Sequence, residues 1–362
     1  MTWRKNICGA IAALSLALTA ACSPTTEEAA PERTEFTVAW TIYAGWMPWP
    51  YAEQAGIVDK WEEKYGITLN FVQVNDYVES LNQFTSGNVD AVTSTTMDAL
   101  TIPAASGVDT SVVIIGDYSN GNDGIVLKGG ESLSDIRGRS VNLVELSVSH
   151  YLLARGLESA GLAPTDVNIV NTSDADMVAT FGVPSTTAVV TWNPLLSEIV
   201  GMPGANLVYD SSSIPGEIVD SLIVRTEALQ SNPNLGRALA GIWYDTMAAM
   251  SGDTPEAGAA RAAMGALSGT DQAGYEAQLS ATAMYYEPSE ALAFFDGPDL
   301  VTATDHVRQF SFDNGLFGQG ASSVDAIGIA FPGGQILGDP ENVKLRFDSS
   351  YTAMAASGEL AP

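Results

Sequence analysis

Short apolar, β-branched runs recur along the chain at 36–40, 67–74, 89–93, 112–115, 124–127, 141–146, 167–170, 188–192, 206–209 and 222–224. Between them lie segments whose apolar residues return every three or four positions. Strands alternating with helices predict α/β lobes with largely parallel sheets. After Arg225 the pattern changes. Residues 234–250, 255–267, 271–281, 288–295 and 299–314 are alanine-rich or keep the helical spacing, so the C-terminal part is predicted to be mostly helical. No repeat of fixed period is present.

In open α/β sheets, ligands sit beyond the carboxyl ends of the strands, beside helix N-termini. The segments at those ends are 43–51, 94–98, 117–123, 145–150, 192–194 and 214–220. They are rich in hydroxyls, amides, carboxylates and aromatics, and none contains lysine or arginine. An anionic guest usually wants a charge-assisted donor, most often arginine, although helix N-termini and hydroxyls can sometimes serve. The pattern therefore favours a neutral or cationic guest. The first segment is unusual in another way. It carries Trp46, Met47, Pro48, Trp49, Pro50 and Tyr51 in a row at a turn, where connections are normally polar.

Composition adds a compartment and excludes several partners. Arg4 and Lys5 precede a short apolar run of small side chains, too short to span a bilayer, which reads as an export signal. The run ends in Leu18-Thr19-Ala20-Ala21-Cys22, which resembles a bacterial lipoprotein signal with Thr19 where leucine is usual. An ordinary secretory signal is the alternative. Cys8 lies in the signal, so Cys22 would be the one mature thiol, and acylation would remove it from an oxidising compartment. The expected organisation is a signal over 1–21, a flexible tether over 22–34, one lobe from 35–124 with 221–362, and a second from 125–220. Without the signal, 13 basic residues face 43 acidic ones, a net charge of −30. Nucleic acid and anionic membrane surfaces are poor partners for such a chain, and the acidity itself reads first as a solvated coat.

Motifs for chemistry are missing. There is no phosphate-binding Gly-x-x-x-x-Gly-Lys-Ser/Thr loop, no Gly-x-Ser-x-Gly elbow and no Cys-x-x-Cys, and the two histidines, His150 and His306, lie far apart. His150, at a predicted helix start, reads as a capping or packing residue before a catalytic base. No enzyme activity, cofactor or metal is expected.

The ordered set of segments carries more information than any one of them. A strand, an aromatic turn and a helix ending in Glu63-Lys64-Tyr65-Gly66 are followed by QFTSGNVDAVTSTTMDA, DIRGRSVNL and VVTWNP. In this order they resemble the extracytoplasmic solute-binding proteins of ABC importers for sulfonates, taurine, nitrate and thiamin precursors, the NMT1-like superfamily. WTIYAGWMPWPYA, TSTTMDAL, DYSNGNDGIV and IPGEIVD are similar to the branch that accompanies urea carboxylase. The resemblance implies a two-lobed periplasmic-binding-protein fold of type II with a ligand cleft between lobes that close on the guest, and hinges at Gly124 and 220–222. It also implies a monomer with a permease and an ATPase as partners, lipid-anchored in the periplasm, and urea, guanidine or a related compound as substrate. A sulfonate, nitrate or pyrimidine guest, or an enzyme derived from the fold, is the alternative.

Within that frame, Trp46 and Trp49 are candidates for a flat wall over a planar guest, since a guanidinium over an indole gains about 0.5–2 kcal/mol. Trp49, between two prolines, could equally be a packing wedge. Thr95, Thr96 and Asp98 close one strand; Asp98 either caps the next helix or faces the ligand. Ser147, Trp192 and Asn193 would be the second lobe's contribution, with Glu145 a weaker candidate. Glu217 and Asp220 straddle the return crossing and are either solvated loop acids or partners for a guanidinium.

Overall fold

The computed structural model of the chain describes residues 33–318 and 320–360. The expected export signal, Cys22 and nearly all of the expected tether lie outside the described residues. Two β-sheets flanked by helices make up the described part, as the alternating pattern predicts.

The strands are β1 (Glu35–Trp40), β2 (Thr68–Gln73), β3 (Ala91–Thr95), β4 (Thr110–Ser119), β5 (Asp123–Lys128), β6 (Ser140–Leu143), β7 (Asn168–Asn171), β8 (Ala188–Trp192), β9 (Ala205–Asp210), β10 (Val219–Arg225), β11 (Thr282–Met284), β12 (Gly328–Ala330), β13 (Ile336–Leu337) and β14 (Val343–Phe347). The larger sheet runs β13-β12-β14-β4-β10-β3-β1-β2, with β11 also on β4. The smaller runs β7-β6-β8-β5-β9. All ten strands expected up to Arg225 are present.

One expectation is corrected. The sheets are mixed rather than largely parallel, because β10 lies antiparallel between β3 and β4, and β5 lies antiparallel between β8 and β9. Both reversed strands are those by which the chain enters one sheet from the other. The C-terminal part carries the five expected helices, as Asn234–Met250, Pro255–Leu267, Gln272–Ser280, Pro288–Phe295 and Pro298–Asp313. It adds β11 to β14 to the larger sheet, in pieces too short to show a period. The longest, β14, buries Leu345 and Phe347 while Arg346 between them makes a two-pronged ion pair with Asp109 at 2.8 and 2.9 Å.

The central strands are buried on both faces. Strand β4, Thr-Ser-Val-Val-Ile-Ile-Gly-Asp-Tyr-Ser, is covered along almost its whole length, which explains its unbroken apolar run. The chain crosses between sheets over residues 120–122 and returns over 211–218. Gly124, expected at a hinge, lies inside β5, where an added Cβ would stand 2.6 Å from Leu207 and 2.9 Å from Leu196. Its smallness serves packing. Residues 220–222 are likewise held in β10 by partners on both sides.

Candidate ligand-binding site

The reversed strands bring distant acids together. Because β10 runs against β3 and β4, its start is level with their ends: Asp220 pairs in register with Thr95 on one side and with Asp117 on the other. Asp123 opens β5 and pairs in register with Trp192, the last residue of β8. These five strand ends therefore meet at one place, beside both crossings, in a small chamber with about 20 Å³ of free volume. That is room for about one water, so a larger guest requires the walls to part.

Residues from both sheets line it. Tyr43, Trp46, Tyr77, Thr95 and Asp220 come from the ends of the larger sheet, Asp123, Val148 and Trp192 from the smaller, and Ile218 from the return crossing. The aromatic turn is thereby explained in two halves. Trp46, at the end of the 3₁₀ turn Ala44–Trp46, stands edge to face with Tyr43 at 5.0 Å and tilted over Tyr77 at 5.6 Å. Tyr77 in turn meets Trp192 edge to face at 5.9 Å, joining the two walls. Trp49 points elsewhere: it is 1 % exposed and packs on Trp243 and Phe71. It is a wedge between the first helix and its neighbours.

Gly45 fixes how the turn seats. A Cβ there would lie 2.3 Å from Oδ2 of Asp117 and 2.7 Å from the Tyr43 ring, so only glycine lets the turn approach the acid. Asp117 sits behind the chamber wall, where Tyr43 Oη donates to its Oδ1 at 3.3 Å. Asn122 Nδ2 donates to Tyr43 Oη at 3.4 Å, and Ser119 Oγ donates to Asp123 at 2.6 Å.

The electrostatics of this arrangement are one-sided. Asp117, Asp123 and Asp220 are all buried, and no lysine or arginine lines the chamber among the described residues. Burial pushes Asp117 up to about 7. Burial, then the charge of Asp98, pushes Asp123 up to about 7. Burial, then the charges of Asp117 and Asp123, hold Asp220 well above the usual carboxylate range. Three polar atoms at this place have no partner among the described residues: Asp220 Oδ2, Asp117 Oδ2 and the Trp46 indole nitrogen. Buried polar groups are almost always paired, so unpaired ones around a cavity mark where a guest would bond. The described residues hold no group of three or more His, Cys, Asp or Glu arranged to hold a metal ion.

The other sequence candidates are placed as follows. Asp98 lies one layer back, accepting from Tyr77 Oη and Thr95 Oγ1, both at 2.9 Å, and burial raises it to about 6. It orients Tyr77. Thr95 Oγ1 also accepts from the Asp98 amide, so Thr95 caps the short helix Thr96–Ala99. Thr96 is buried in that turn and does not line the chamber. Ser147 caps the helix Val148–Ser159 and, with Glu145, lines a separate groove that Tyr77 also borders. Asn193 ties the first crossing, donating to Asn122 Oδ1 at 2.6 Å and accepting from the Ser197 amide at 3.0 Å.

Glu217 requires a correction. Its carboxylate receives Arg155 Nε at 3.0 Å and Nη2 at 3.1 Å as well as the Tyr151 hydroxyl, and it lines a groove behind the crossing rather than the chamber. Arg155, inside the helix Val148–Ser159, lies outside every strand-end segment in sequence. Folding brings it back to one of them. Five lining residues were not singled out: Tyr43, Asp123, Val148 and Ile218 lay inside the segments read, whereas Tyr77 follows β2, whose end was not read at all. The polar break Asn75-Asp76 after that strand was the available signal, since Asp76 caps the helix Tyr77–Ser86.

This fold, two α/β sheets with a chamber at their joined strand ends, is that of the periplasmic binding proteins. A model of the NMT1-like family matches residues 29–266, and the chain belongs to that family. The alkanesulfonate-binding protein SsuA from Xanthomonas axonopodis pv. citri is similar in structure, with a TM-score of 0.64 at 15% identity over 80% of this chain and 96% of that one. The nitrate-binding protein NrtA from Synechocystis PCC 6803 gives a TM-score of 0.55 at 14% identity over 90% and 99%. At such identities the likeness is one of fold. A protein of Brucella abortus (strain 2308), named as a candidate binding protein, is 27% identical over 138 residues, 37% of this chain. The chain spans 43% of the length of that curated relative.

Proposed function

We propose that the chain is the extracytoplasmic solute-binding component of an ABC importer, lipid-anchored through Cys22 and handing its solute to a permease with its ATPase. Membership of the NMT1-like family and the shared fold support the class. For the solute we propose a small, planar, nitrogen-rich cation of the guanidinium type, with urea as its neutral analogue. The observation that carries this is the pair Asp123 and Asp220 on the chamber wall, with Asp117 behind and no basic side chain lining the chamber among the described residues.

The physical argument is one of compensation. A buried carboxylate without a counter-charge is costly and usually takes up a proton instead. A guanidinium placed between Asp123 and Asp220 would replace that proton, offer N–H groups to both acids and lay its face on an aromatic wall. Sulfonate and nitrate, the guests named for two structural relatives, favour a second reading. Two carboxylates in so small a space oppose it by charge. Calorimetric titration of the purified protein with guanidinium, urea, taurine and nitrate tests the choice. Guanidinium should bind, and micromolar binding of either anion would reverse the assignment.

A further inference from the structure

The acids account for one end of a guest; the indole of Trp46 speaks for the other. Trp46 is 5 % exposed and lines the chamber, and its Nε1–H finds no acceptor among the described residues. An indole N–H that is buried normally has a partner. The neighbouring hydroxyls are already engaged. Tyr77 Oη donates to Asp98 and accepts the Thr95 amide at 3.0 Å, Tyr43 Oη donates to Asp117 and accepts from Asn122, and Thr95 Oγ1 is shared with Asp98. The same chamber thus offers acceptors without donors at Asp220 Oδ2 and a donor without an acceptor at Trp46. Bare guanidinium satisfies only the first, because it has N–H groups and no acceptor. Urea has both edges and no charge.

We infer that the solute carries a hydrogen-bond acceptor beside its cationic N–H edge, so that it accepts from Trp46 while donating to Asp123 and Asp220: an acylguanidinium, or a planar amidinium of equal size with a carbonyl. This rests on the cationic reading of the chamber. It adds Trp46 as a specificity-determining residue, the N–H that tells an acceptor-bearing cation from guanidinium. A site built to bond a group rejects the analogue that lacks it, because its own polar atom is then left buried and unpaired.

The probes are guanidinium chloride and acetylguanidine, the latter at a pH where it is protonated, titrated into wild type and Trp46→Phe. Phenylalanine keeps an aromatic face and removes the N–H. Acetylguanidine should bind wild type at least about ten times more tightly than guanidinium does. In Trp46→Phe that preference should fall below about threefold, whatever the change in guanidinium affinity itself. A second measurement needs no variant: in wild type with ¹⁵N-labelled tryptophan, the Trp46 indole resonance should move downfield with acetylguanidine and not with guanidinium. If guanidinium binds but acetylguanidine binds no better, or the variant weakens both equally, the acceptor is refuted and the cationic reading stands. Binding of neither probe overturns both.

Discussion

Asp220 faces Asp117 across paired antiparallel strands, in register, with one oxygen of each carboxyl left without a partner among the described residues. Two acids on a flexible loop could turn apart. These are set on the interior strands of a sheet, each held by backbone bonds on both sides, so their closeness is a property of the fold. Such closeness favours uptake of a proton, and under the proposed function a cationic guest would replace it.

Affinity for a cation should therefore rise with pH. Asp117 and Asp123 lose their protons at about 7, well above the ordinary carboxylate value. Guanidinium binding should be weak at about pH 5.5, strengthen through about pH 7 and level off above about 8. At about pH 6 it should release protons. Titration calorimetry in buffers of different ionisation enthalpy reads both the trend and the proton count. A neutral guest would show a weak dependence, and an anion the opposite slope.

Stability of the unliganded protein carries the reverse sign. With folded-state values of about 7 against 3.8 when unfolded, the native chain holds protons that the unfolded chain releases. Their contribution is complete below about 4 and is lost as pH rises through about 7. Asp220→Asn removes one acid and brings an amide able to donate to Asp117, so the variant should melt higher than wild type above about pH 7. The same change should weaken guanidinium by about 3–5 kcal/mol, and urea by less, because urea forms no ion pair. Thermal melts from about pH 5 to about pH 8 with parallel titrations check it. A variant less stable than wild type at the upper end of that range would mean that the pair is structural.

The ten strands up to Arg225 were legible because each is a largely apolar run bounded by polar turns, and so were the strand-end segments that hold Trp46, Trp192 and Asp220. What linear reading could not supply was direction. Nothing local in Val-Asp-Ser-Leu-Ile-Val-Arg says that β10 runs antiparallel, and only that reversal sets Asp220 beside Asp117. Arg155 was missed for a related reason: a helical residue 62 positions away in the chain comes within 3.0 Å of Glu217 only after packing. Short strands such as Ile336–Leu337 carry no period to detect.

Gly45→Ala should damage binding more than stability. The added methyl meets Asp117 Oδ2 at 2.3 Å, so the turn must lift, carrying Trp46 with it. We expect a loss of at least about tenfold in guanidinium affinity, with about 1–3 kcal/mol of destabilisation from the overpacked contact. Unchanged affinity in the folded variant would separate Trp46 from the site.

Cys22→Ser tests the anchor proposed from the sequence. Loss of the acylated cysteine should release the exported chain from membranes, since one covalent lipid group carries the attachment. Fractionation with labelled fatty acid reads it. A variant that stays with membranes, beside a wild type that takes up no label, would leave the ordinary secretory signal as the answer.

The two tryptophans of the aromatic turn should separate in a pair of alanine variants. Trp49 is enclosed by Trp243 at 5.0 Å and Phe71 at 6.0 Å. Truncating so large a buried side chain should cost about 3–5 kcal/mol of stability. Its place outside the chamber wall means that guanidinium should bind the folded fraction of Trp49→Ala with its wild-type constant. Trp46→Ala removes a wall of the chamber itself, so affinity should fall for guanidinium and urea alike. Thermal melts without ligand give the stabilities, with sodium chloride of matched ionic strength as the control for added guanidinium in the titrations. If Trp49→Ala loses affinity as steeply as Trp46→Ala while both remain folded, the turn acts as one rigid piece and the division of roles drawn from the ring contacts is wrong.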